Sequence, residues 1–209
     1  LPISLTACSN EEDPVADTGD SVADESEQAT EEDQLEPEPE PVYVQAPLSG
    51  VSYLEGSNPF LEGPALSAKI DNYPPARPQT AIGSADIVYV QRVESGITRF
   101  VSIWHSQIPE VFGPLRSIRP MDPNIVSPYS GIFAYSGGQD PFIFDSLDTG
   151  LYNAYEDSEV GLETLFRKEG TGKPYEHTLY GRGTLLVESH SEFDAPTAHL
   201  NYVEGADKS

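Results

Sequence analysis

Two arginines bracket a serine in Gly113-Pro114-Leu115-Arg116-Ser117-Ile118-Arg119-Pro120. Planar guanidinium forks at that spacing suit bidentate capture of a phosphate or a carboxylate. If Arg116 to Arg119 is extended, the two side chains point to opposite faces; a turn, which Gly113, Pro114 and Pro120 favour, brings them together. Further polar residues fall where strands are expected to end: Asp71 and Asn72 after one strand, Arg77 in the next loop, Asp86 at the head of a hairpin, Glu94 and Arg99 flanking its turn. Loops at strand ends are where binding sites concentrate. Arg77, Arg99, Arg116, Arg119, Asp71, Asn72 and Glu94 therefore form the candidate anion-binding set. The alternative pairs the arginines with Asp86, Glu94 or Asp122 in purely structural ion pairs.

Other chemistries find less support. His105, His177, His190 and His199 show no metal-ligand spacing such as His-Glu-x-x-His. No Gly-x-Ser-x-Gly surrounds any serine, so nucleophilic hydrolysis of that type has no signature. Ser136-Gly137-Gly138 leaves a strand for a helix and offers free amides to an anion, but it lacks a P-loop Lys and reads better as a simple turn.

The elements that must position these residues are legible in part. Ile87–Glu94 is β-branched and aromatic, Ile97–Trp104 follows it across Ser95-Gly96, and the two are expected to form an antiparallel hairpin. Ser67–Asp71 and Ile132–Tyr135 are further strand candidates. Helices are expected at Pro123–Tyr129, Pro141–Leu147 and Gly161–Lys168, with Leu185–Val187 a short strand or a helix end. Interleaved strands and helices predict an α/β or α+β fold: a mixed sheet with a central antiparallel hairpin and flanking helices, preceded by a disordered tether.

That tether is residues 9–46, rich in Glu, Asp, Pro, Ser and Thr and almost devoid of large apolar side chains. Such a composition buries too little surface to offset chain entropy. The formal charge of -24 is concentrated there, with no Lys or Arg before Lys69. An acidic surplus repels phosphate backbones, so nucleic acid is excluded as a partner. The single Cys rules out an intramolecular disulfide.

That Cys closes Leu5-Thr6-Ala7-Cys8, which resembles the bacterial lipobox: an aliphatic residue, two small residues, then the Cys that receives a diacylglycerol. The expectation is a chain tied to the lipid bilayer through acylated Cys8, on the extracytoplasmic face of the bacterial cell membrane, with residues 1–8 the end of a signal peptide. The chain opens without Met and ends in polar residues, so we expect the front part of a longer protein, with residues 192–209 leading toward a C-terminal domain.

Several blocks then carry a family resemblance. Ile70–Gln79, Ser84–Tyr89, Glu94–Phe100, Gly113–Pro120, Tyr135–Gly138 and Pro174–Tyr180 resemble, in order, the signature blocks of the YerB-like lipoproteins, whose domain has no established function. The resemblance covers about residues 47–191 and implies an extracytoplasmic lipoprotein of Gram-positive-type bacteria. At Pro174-Tyr175-Glu176-His177 the chain departs from the family, which more often has Pro-His-Asn, and this counts against a catalytic role for His177.

A second similarity, confined to short segments, is to the LytR-CpsA-Psr phosphotransferases. It implies Arg99, Arg116 and Arg119 clamping phosphates while Asp86 and Asp122 hold Mg²⁺. Two expectations follow: a non-enzymatic surface lipoprotein, needing no cofactor, that binds an anionic cell-envelope ligand or polymer or a protein partner; alternatively, a wall-polymer phosphotransferase or other phosphate-handling enzyme.

Overall fold

A computed structural model of the chain describes residues 39–202. Cys8, residues 9–38 of the expected tether and residues 203–209 lie outside the described residues.

The strands, in chain order, are β1 (Tyr43–Gln45), β2 (Ser52–Leu54), β3 (Leu66–Asp71), β4 (Ile87–Arg92), β5 (Thr98–Trp104), β6 (Val111–Phe112), β7 (Ile132–Tyr135), β8 (Tyr152–Tyr155), β9 (Leu165–Arg167) and β10 (Leu179–Arg182). The helices are short: α1 (Asp122–Val126), α2 (Asp140–Leu147), α3 (Glu159–Thr164) and α4 (Gly183–Glu188). A five-stranded mixed sheet, in the order β4-β5-β3-β7-β8, carries the architecture. β3 pairs antiparallel with β5 and parallel with β7. A three-stranded sheet, β6-β10-β9, and a β1-β2 ribbon complete the fold, which is the expected mixed α/β class.

Strand periodicity explains why the five-stranded sheet is buried on both faces. Side chains alternate across a strand. Leu66, Ala68 and Ile70 of β3 therefore join Trp104, Phe112, Leu115, Ile132 and Leu186 in one apolar cluster. On the opposite face Val101, Ile103, Phe133 and Tyr135 pack with Ile118 and Val126 in a second cluster. That second face also receives Lys69 and Asp71, the odd-numbered residues of β3, and both are buried. Two charged side chains of β3 thus sit buried on the face that also receives Val126 of α1.

Several local expectations need correction. Tyr43–Gln45, placed in the tether by composition, pairs with β2 in the register Tyr43↔Leu54. Residues 161–168 are not one helix: α3 ends at Thr164 and Leu165–Arg167 enters a sheet as β9. Leu165 is buried and faces Gly181 of β10, so tertiary pairing outweighs the helical pattern there. Leu185–Val187, expected as a short strand or a helix end, lies in helix α4, so the second alternative holds. The hairpin is present, but Glu94 lies in its connecting turn, Glu94–Gly96, where Ser95 and Gly96 take left-handed φ of 59° and 73°. Among the described residues no helix is long and apolar enough to cross a membrane.

Candidate functional site

The site forms where β3 ends and β5 begins. Antiparallel register sets Asp71 opposite Arg99, and Arg99 opposite Gln91, on the same face of three adjacent strands. β7 accompanies β3 only from Leu66 to Ala68. Beyond that point the extended segment 113–118 runs between them: the Asp71 amide donates to the Pro114 carbonyl (2.9 Å), the Arg116 amide to the Lys69 carbonyl (2.9 Å), and the Ile118 amide to the Gly137 carbonyl (2.9 Å). This insertion delivers Arg116 and Arg119 to the carboxyl ends of parallel β3 and β7, where open α/β sheets keep their ligand crevices. Ser136 and Gly137 are engaged in the same pairing, since the Ser136 amide donates to the Arg116 carbonyl at 3.1 Å, which favours the structural account of that turn.

A cleft of about 350 Å³ opens there, lined by Asp71, Tyr73, Arg99, Arg116 and His177, with Glu176 alongside. Arg99 is 9% exposed and donates from Nη1 to the Ser117 carbonyl at 2.8 Å. Among the described residues it has no carboxylate within ion-pair distance. Burial, then the nearby Arg119 and Arg116 charges, pull its guanidinium down to about 10, with Asp71 and Glu94 acting in the opposite direction; it stays protonated at neutral pH. Arg116 reaches Asp71 with Nε at 3.4 Å and also donates to the Glu176 carbonyl at 3.2 Å. Arg119 turns to the rim, where its fork holds Glu94 (Nε to Oε1, 2.7 Å). The Arg119 hydrogen bond is the first cause that holds the Glu94 carboxyl below its usual range. The arginines therefore divide: one structural pair at the rim, one half-paired cation and one desolvated cation in the cleft.

Arg77 and Asn72 stand beside the cleft, tied to each other: Arg77 Nε donates to Asn72 Oδ1 at 3.1 Å. Asn72 Nδ2 in turn donates to the Thr98 hydroxyl at 2.8 Å, so this pair braces the loop after β3.

Two residues that sequence reasoning set aside or passed over are central. His177 arrives from 106 positions away, and its Nδ1 lies 2.7 Å from Asp71 Oδ2, with both side chains nearly fully buried. The remaining Asp71 oxygen accepts the Tyr73 amide at 2.9 Å. Beneath the site, Lys69 donates to Asp122 Oδ1 at 2.7 Å and to Gln91 Oε1, all in the interior. Burial pushes the Lys69 ammonium down, and Asp122 pulls it back up. A lysine inside the apolar run Leu66–Ile70 was the available signal, since an unpaired charge is not tolerated mid-sheet.

The two carboxylates assigned to Mg²⁺ by the phosphotransferase similarity occupy separate places. Asp122 is held by Lys69 and by the Arg119 amide at 2.7 Å. Asp86 lies at the other end of the hairpin, where it accepts the His105 and Ser106 amides at 2.5 and 2.9 Å and lines a different groove of about 910 Å³ with Leu48, Tyr53 and Tyr202. Among the described residues no group of three or more His, Cys, Asp or Glu side chains could hold a metal ion. The donor set does not fit a shared Mg²⁺ beside the arginines.

Comparison with known proteins agrees with the fold and the motif blocks. One relative, "Putative lipoprotein YerB" of Bacillus subtilis (strain 168), is 36% identical over 94 residues, which is 45% of this chain and 28% of the relative. The crystal structure of YerB protein from Bacillus subtilis matches with a TM-score of 0.57 at 28% identity, covering 71% of this chain and 49% of that one. The chain thus spans about half the length of the solved relative, or less. A family model described as "Protein of unknown function (DUF3048) N-terminal domain" matches residues 49–195, and the chain belongs to that YerB-like family.

Proposed function

We propose that this is a surface lipoprotein, held at the extracytoplasmic face of the cell membrane by acylated Cys8, whose folded domain binds an anionic group of a cell-envelope ligand in the Arg99–Arg116 cleft. The anchor rests on Leu5-Thr6-Ala7-Cys8 and on the name of the Bacillus subtilis relative. The ligand class rests on one observation: Arg99 is buried beside two further arginines, faces an open cleft, and lacks a carboxylate partner among the described residues. A desolvated cation without a counter-charge is costly in an isolated protein, and an entering anion removes that cost. Of the charges that act on Arg99, those of Arg119 and Arg116 are opposed by Asp71 and Glu94, and Glu176, which also lines the cleft, is half-exposed.

Binding of inorganic phosphate and pyrophosphate, followed by thermal shift and calorimetry, tests the cleft. Arg99→Met is expected to weaken binding about 10- to 100-fold, the loss of one or two charge-assisted hydrogen bonds. Equal binding by Arg99→Met, or no response to either anion, refutes the assignment. Intact-mass measurement of the full-length product, with Cys8→Ala as comparison, tests the anchor: an unmodified Cys8 in a lipoprotein-processing bacterium refutes it.

A further inference from the structure

The cleft contains one feature that anion binding alone does not require. Asp71 Oδ2 holds His177 Nδ1 at 2.7 Å, so the neutral imidazole carries its proton on Nδ1 and keeps the Nε2 lone pair. Nε2 makes no hydrogen bond among the described residues; its nearest carboxylate is Glu176 Oε1 at 3.9 Å. The ring lines the same cleft as Arg99 and Arg116 and packs against Tyr73 with centroids 5.7 Å apart. A carboxylate-oriented imidazole that shares a cleft with two guanidiniums has the groups that general-base attack on a phosphate ester uses.

We propose that Asp71 and His177 form the acid–base pair of a metal-independent phosphodiester hydrolase in this cleft, an inference that rests on the anion-binding reading above. His177 is the catalytic residue and Asp71 its positioning residue. His177 Nε2 takes a proton from a water molecule as the water oxygen bonds to phosphorus. The extra negative charge that develops on the non-bridging oxygens falls between Arg99 and Arg116. The phosphorus–oxygen bond opposite the entering water breaks, the departing alkoxide takes a proton from bulk water, and the imidazolium gives its proton up to solvent. Diester and water become monoester and alcohol, with no electron transferred and no co-reactant beyond water.

Charge selects the substrate class. Glu176, half-exposed beside Nε2, opposes a second negative charge in the ground state, so a monoanionic diester fits better than a dianionic monoester. A neutral carboxylic ester makes no use of the buried Arg99. The cleft, about 350 Å³, takes the phosphate and one adjoining group, with the rest of a polymer outside.

The test uses the full chain with bis(4-nitrophenyl) phosphate and a glycerol phosphodiester oligomer, both in EDTA. His177→Asn keeps an amide donor where Nδ1 stood and removes the base, so the bond to Asp71 survives. Turnover by the unaltered protein is expected, with a loss of about 100-fold or more in His177→Asn. An unchanged circular-dichroism spectrum is expected in that variant. Arg99→Met is expected to lose both binding and turnover. Phosphate binding without turnover of either diester overturns the acid–base assignment alone, as does full turnover by His177→Asn. Absence of phosphate binding overturns the anion-binding reading beneath it.

Discussion

Replacing Lys69 with Met removes one half of an ion pair buried in the middle of the main sheet. Lys69 and Asp122 are both fully buried, 2.7 Å apart, and Lys69 also donates to Gln91. Met fills the volume of the aliphatic stem, so the loss of packing is small. The electrostatic loss is large: Asp122 remains inside with only the Arg119 amide, at 2.7 Å, to satisfy its charge, and Gln91 Oε1 loses its donor. Breaking a buried pair in this way costs about 3–5 kcal/mol, a large share of the roughly 5–15 kcal/mol that holds an ordinary domain together. Removing both charges in Lys69→Met/Asp122→Leu discards the desolvation of the orphaned carboxylate. It loses in addition the Arg119 amide bond, about 1 kcal/mol. The double variant is therefore expected to be more stable than Lys69→Met by about 2 kcal/mol or more. Trp104, the only Trp in the chain and fully buried, reports unfolding in urea by its fluorescence. A Lys69→Met protein within about 1 kcal/mol of the parent, or a double variant less stable than the single, refutes the buried-charge reasoning.

Two further outcomes are expected. Burial holds His105 below its ordinary 6.5 despite the Gly63 carbonyl and Asp86, so the folded protein takes up this proton at a lower pH than the unfolded chain does. The unfolded state then binds more protons, and stability falls as pH drops below that value by up to about 1.4 kcal/mol per pH unit; His105→Gln should flatten this slope in urea titrations from pH 7.5 to 5, and an unchanged slope assigns the effect elsewhere. Glu94→Gln frees the Arg119 fork at an exposed rim, with a stability change under about 1 kcal/mol. Its phosphate affinity should rise about threefold at low salt and less at high salt, because a negative charge beside Arg99 has gone; calorimetry showing weaker binding contradicts a shared anion site.

Much of the site's composition was legible in the chain itself. β-Branched alternation marks Ile87–Arg92 and Thr98–Trp104 as a hairpin, and Ile132–Tyr135 as a strand, because those patterns are local. The motif blocks point to the YerB-like family, and Arg99 and Arg116 are recognisable as cations placed at strand ends. Tertiary structure alone decided how the charges are shared. Asp71 meets Arg99 through strand register, Arg116 arrives because the segment 113–118 displaces β7 from the end of β3, and Glu94 claims Arg119 across the hairpin turn. His177 reaches Asp71 over 106 positions, and Lys69 reaches Asp122 over 53. Periodicity carries information over one or two turns of chain, whereas the counter-charge of a buried group is set by which distant segment the core draws against it; no local pattern encodes that choice.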